Sequence, residues 1–187
     1  NVRIWGGLFV SDPNKDTWGR IWEVGSRFTW QLPQTIGGLV TAHTTNTVHK
    51  VNWVKYKYGA TVINSNVDYA AVTMGSYIVG REGDLEADPN NWLFQHEYGH
   101  YLQSQSMGWA YFSRVGIPSV LSKNSHNLHP VEVDANRRAF LYFNENTEDF
   151  YVSKNEWGRG IGWDFWENPL NIGMDDYVDF QNEKSIY

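Results

Sequence analysis

The chain has 187 residues, enough to bury the core of one domain without disulfides, and its 41% apolar against 19% charged residues argue against disordered and fibrous classes. A net charge of −6 argues against a general nucleic-acid binder, which needs surplus Lys and Arg to displace phosphate counterions. With no cysteine, disulfides, thiolate metal sites and cysteine nucleophiles drop out, so any metal must use His and carboxylate. No run approaches the roughly 18 apolar residues of a membrane span. The chain begins at Asn1, with no leader-like basic and apolar segment, and is read as a processed or excised part of a larger polypeptide, secreted or at the cell surface.

In chain order, "DTWGRIWEVGSRFTWQL" (16–32) places Trp18, Ile21, Trp22, Gly25, Phe28 and Leu32 at helical spacing, which predicts a helix with Trp18 and Trp22 in the core, stopped or kinked by Pro33. "PQTIGGLVTAHTTN" predicts a weaker helix, since Gly37 and Gly38 each cost about 1 kcal/mol relative to alanine; His43 and His49 are read as structural. From Val48 the period becomes two. "VNWVKYKYG", "ATVIN" and "AAVTMGSYIVG" predict three strands with turns at Gly59 and around 64–68, forming a small antiparallel or mixed sheet. "GDLEADPNN" then supplies a helix start with Asp88 as N-cap and Pro89 at the first helical position, and the helix is expected to run to Ser106 and stop at Gly108. After a connector holding His126 and His129, Pro130 opens "PVEVDANRRAFLYFNEN", with Val131, Ala135, Phe140 and Phe143 apolar. The expected organisation is one domain over 1–187: helices and sheet to 83, two site helices over 88–146, and a tail from 147 that the pattern leaves unassigned.

The chemistry concentrates in "QHEYGH". Four helical residues turn the chain through about 400°, so His96 and His100 share one face and can reach one ion. Glu97 lies on the flank of that face, placed to meet a water beside the metal as a general base. Gly99 gives up about 1 kcal/mol of helix propensity, which a close-packed helix or an approaching substrate would explain. Two histidines cannot complete a zinc site. Glu132, 32 residues after His100, supplies the third ligand of a His2Glu set, and Asn136, four residues on, can support a ligand by a hydrogen bond. Asp134 reads as a solvated charge or a partner for Arg137 or Arg138. His126, His129 and several tyrosines are the candidate oxyanion donors, each more readily read as structural or exposed.

"HEYGH" followed by "EVDANRRAF" resembles the gluzincin zinc metallopeptidases, and the pattern Glu, Ala-Asn, apolar is most similar to the compact group that includes the phage-repressor-cleaving and radiation-response metallopeptidases. The resemblance covers about 45 residues. It implies a zincin-like α+β fold, Zn2+ held by His96, His100 and Glu132, Glu97 as general base, Asn136 as support, and hydrolysis of a peptide or protein substrate. It also implies an open strand edge within 70–81 that could hold an extended peptide. Asn136 replaces the aspartate of thermolysin-like relatives, which removes a charge but keeps the hydrogen bond. "NVRIWGGLFVSDPNK" and the sheet that follows resemble C-terminal modules of bacterial Rhs-type repeat proteins, implying an effector context.

The competing reading is a catalytically silent zinc-containing binding or effector module. Ten tryptophans and eleven tyrosines could furnish a stacking surface for carbohydrate or protein, with "GRGIGWDFW" the stretch most suited to it.

Overall fold

The computed structural model describes residues 1–121 and 129–148. The tail stretch "GRGIGWDFW" and His126 lie outside these residues. The described chain is α+β, with six α-helices and one four-stranded mixed sheet. No helix among the described residues is long and apolar enough to cross a membrane.

A short helix α1 (Val2–Gly6) leads to α2 (Thr17–Arg27) and α3 (Leu32–Val48). The single helix predicted over 16–32 is therefore shorter, and Pro33 opens the next helix instead of ending this one. The reason is that proline lacks the N–H that the first turn of a helix leaves unbonded anyway. Asp16 caps α2, its Oδ1 accepting from the Gly19 N–H at 2.7 Å.

The buried side of α2 is also the reverse of expectation. Trp18 and Trp22 are 76% and 63% exposed, and Ile21 and Phe28 are exposed with them, while Glu23, Ser26 and Arg27 are buried. Apolar periodicity identifies an amphipathic helix but not which of its faces is covered. Here the polar face is held by a buried network. Arg27 donates to the carbonyls of Gly7, Leu8 and Gly59 at 2.8–3.0 Å and to the Tyr101 hydroxyl. Glu23 accepts from the Asp12 N–H at 2.8 Å, from Gln105 Nε2 at 3.0 Å and from Tyr101. Because each charge has hydrogen-bond partners, burial of the pair is tolerable.

Strands β1 (Val51–Lys57) and β2 (Ala60–Ser65) form an antiparallel hairpin. Its two turn residues, Tyr58 and Gly59, have φ of 47° and 79°, as a tight hairpin loop requires. The third predicted strand is in fact two, β3 (Ala71–Met74) and β4 (Tyr77–Arg81), joined at Gly75-Ser76. The order is β1-β2-β4-β3, with β4 parallel to β2, so the sheet is mixed and β3 lies at its edge. One of the two glycines of α3, Gly38, is explained by the β3–β4 hairpin. A Cβ on Gly38 would strike the Met74 carbonyl and the Tyr77 ring, so the propensity cost permits close approach.

Adjacent residues of the central strands point to opposite faces. Val62 and Ile78 join Leu93, Phe94, Tyr98, Ala139 and Phe143 on one side; Ile63 and Val79 join Ile4, Leu8 and Ala42 on the other. The first side carries α4 (Trp92–Met107) and α6 (Pro130–Asn146). A short α5 (Ile117–Leu121) lies between α4 and α6 in sequence and borders the cleft described below. The cap of α4 is Asn91, whose Oδ1 accepts from the Phe94 N–H at 2.9 Å; Asp88, expected in that role, instead accepts from the Asn90 N–H in the turn before it. The helix accordingly starts at Trp92, not Pro89. Sheet on one side, α6 on another and the Glu23–Arg27 network on a third leave α4 buried nearly all round.

Candidate metal centre

Where α4 meets α6, glycine is required. Any Cβ on Gly99 would collide with the Ala135 backbone, so the two helices touch main chain to side-chain-free main chain. The obstruction expected at Gly99 is thus a helix. Ala135 lies between Glu132 and Asn136 in sequence, so this contact sets the position of both. The helices run in opposite directions across it: His96 meets Asn136, and His100, one turn later, meets Glu132 one turn earlier.

His96, His100 and Glu132 converge. Their ligand atoms all lie within 4.8 Å of one another, and all three residues are buried. Both Nε2 atoms face the same carboxylate oxygen, Glu132 Oε2, at 3.3 Å from His96 and 3.0 Å from His100. Ligands at 2.0–2.2 Å on a tetrahedral ion sit about 3.3–3.6 Å apart. The two His–Glu132 separations lie near that spacing, and the group could hold a metal.

The imidazoles are held from behind. His96 Nδ1 donates to Asn136 Oδ1 at 2.7 Å, and His100 Nδ1 to Gln103 Oε1 at 2.8 Å. The orientation at Gln103 is settled by its other contacts, since its Nε2 donates to the Val131 carbonyl and to Asp134 Oδ2, both at 2.8 Å. Its oxygen must therefore face His100, whose Nδ1 carries the proton and whose Nε2 is left for a metal. Asp134 also pairs with Arg138 at 2.7 Å, one of the two partners expected for it. Gln103 was not singled out in the sequence; its signal is its place one turn after His100.

Glu97 is buried beside the two histidines. The Thr73 hydroxyl, on edge strand β3, contacts its Oε2 at 2.6 Å and its main-chain carbonyl at 3.0 Å. Thr73 likewise escaped sequence reading, because it belongs to a different element with no motif around it. A cleft of about 530 Å³ opens over the group, lined by Ala71 to Met74 on one side and by Tyr111, Phe112, Ile117 and Val120 on the other. Burial, reinforced by the charges of Glu97 and Glu132, pushes the Tyr111 hydroxyl well above its ordinary range, so it stays protonated. His129, one of the candidate donors, instead caps α6 with its Nδ1 toward the Val131 N–H. His43 packs against Trp5 in a tilted ring contact, 5.2 Å between centroids, away from the converging group.

Protons and a metal compete for these groups. Burial pushes His100 down, but the hydrogen bond and charge of Glu132, with Glu97 adding, outweigh it and raise it to about 9. Burial likewise pushes Glu132 up, and the hydrogen bonds and charges of His100 and His96 hold it well below the carboxylate range. For His100 the folded value exceeds the unfolded one. Its stabilising contribution in metal-stripped protein is full below about pH 6.5 and is lost as pH rises through about 9. Zinc loading at pH 7 is expected to release about one proton, and the apparent affinity to rise with pH and level off above about 9. Calorimetry in buffers of differing ionisation enthalpy checks this; zinc uptake with no proton release would contradict it.

In comparisons with known proteins, no family model, no curated protein and no solved structure matches the chain.

Proposed function

We propose that this chain is a zincin-like, gluzincin-type zinc metallopeptidase. The observation that carries the reading is the convergence of His96, His100 and Glu132, with Glu97 alongside and His96, Glu97 and His100 opening on one cleft. Zinc, rather than a harder cation, suits two imidazoles and one carboxylate. When bound, zinc acts as a Lewis acid that brings the acidity of a water near neutral pH.

The chain's own residues do the rest. Glu97 takes the proton from the attacking water and passes it to the departing amine, so one group serves as base and then acid. His96 and His100 are kept in one tautomer by Asn136 and Gln103. Tyr111, whose hydroxyl makes a long 3.5 Å bond to the Thr73 carbonyl in the cleft, supplies a donor to the oxyanion of the tetrahedral intermediate on leaving that bond.

Edge strand β3 binds the substrate. Arg81 N–H donates to the Ala70 carbonyl, and in an antiparallel ladder the inward-bonded residues alternate, so Val72 and Met74 also face β4. Ala71 and Thr73 then turn their main-chain groups outward along the cleft, where an extended peptide can pair with them, displacing the long 3.5 Å bond that the Tyr111 hydroxyl makes to the Thr73 carbonyl. This favours an unstructured segment as substrate.

The exposed Trp18 and Trp22 support the alternative of a zinc-containing binding or effector module without turnover. Hydrolysis of an unfolded protein such as reduced, alkylated casein separates the two. The peptidase reading expects cleavage that chelation abolishes and zinc restores, whereas a silent module leaves the protein intact with zinc bound.

A further inference from the structure

We infer that Thr73 is a positioning residue for the general base, which rests on the peptidase reading. Its side chain is on edge strand β3 yet turns inward, 6% exposed, onto Glu97, which is 5% exposed. The hydroxyl has a single proton. Of the two acceptors before it, Glu97 Oε2 at 2.6 Å is nearer than the Glu97 carbonyl at 3.0 Å. Thr73 therefore donates to Oε2.

Two consequences follow from that bond. Oε2 is engaged, so Oε1 is the oxygen that takes the proton from water. The carboxylate plane is also tied to the strand, since Thr73 is one of the two residues whose main-chain groups face the cleft. One residue thus meets the peptide with its backbone and orients the base with its side chain. A peptide that pairs with β3 is laid down in fixed relation to the group that activates its attacking water, and misplacement of a reacting group by about 1 Å is costly.

The test compares wild type with Thr73→Val, which keeps the shape and removes the donor, and Thr73→Ser, which keeps the hydroxyl. All are zinc-loaded and assayed on one fluorogenic peptide, with bound zinc and thermal unfolding measured in parallel. A hydrogen bond to a charged group sets the expected scale: Thr73→Val loses about 10- to 100-fold in kcat at nearly unchanged KM and zinc content, and Thr73→Ser recovers most of the loss. Equal kcat for wild type and Thr73→Val overturns the assignment, as does a rise in KM at constant kcat, which would make Thr73 a substrate contact only. Should Thr73→Val not fold, Thr73→Ala carries the decision, since it also removes the donor: a loss of about 10- to 100-fold in kcat that Thr73→Ser restores supports the assignment, and wild-type kcat in Thr73→Ala overturns it. A wild-type chain without hydrolysis fails the peptidase reading itself, a result distinct from an active wild type with an indifferent Thr73→Val.

Discussion

Glu97→Gln is expected to lower kcat by about 10²–10⁴-fold, the usual contribution of a positioned general base, while leaving zinc bound. Glutamine keeps the size of the side chain and can still accept from the Thr73 hydroxyl through its amide oxygen. It cannot accept a proton from water at neutral pH. Since none of the three converging ligand atoms belongs to Glu97, the zinc content and unfolding temperature should stay near wild type. A matched assay of cleavage and metal content checks the pair of outcomes. Hydrolysis undiminished in Glu97→Gln would remove the base from the account and point to a contaminating protease.

Glu132→Ala is expected to do the opposite, weakening zinc by more than about 100-fold, the upper cost of losing a mere supporting partner of a ligand. The carboxylate is 0% exposed and faces both imidazoles, so its loss takes away the anionic ligand and the group that holds His96 and His100 together. His96→Ala should lose the metal similarly. Removal of Glu132 also takes from His100 the charge that raises its pKa, so that imidazole should return toward or below its ordinary range as burial dominates. Competition with a chromophoric chelator reads the zinc affinity, and NMR titration of the imidazoles reads the proton. Unchanged zinc affinity in Glu132→Ala would place the metal elsewhere.

The metal group was the most legible part of the chain because its geometry is local. His96 and His100 are separated by one helical turn, and Glu132 and Asn136 by another, so each helix brings its own pair to one face before any tertiary contact is known. Only the meeting of the two helices had to be found in the structure, and Gly99 marks where they meet. Thr73 was hidden for the converse reason. Its partner Glu97 is 24 residues away on another element, and a threonine in a strand ordinarily signifies only β-propensity. The α2 helix misled because Glu23 and Arg27, four apart, look like a surface pair until Gly7, Leu8, Gly59 and Tyr101 are seen around them. The parallel pairing of β2 with β4 is likewise a matter of connection, which alternation within a strand does not encode.

The most direct measurement on the central claim is the zinc X-ray absorption spectrum of the zinc-loaded chain, taken beside that of Glu132→Ala. The account expects one zinc per chain with a first shell of two imidazoles and light oxygen scatterers at about 2.0–2.2 Å, and a changed shell or lost metal in the variant. A shell with one imidazole or none, or one that Glu132→Ala leaves unaltered, would contradict it.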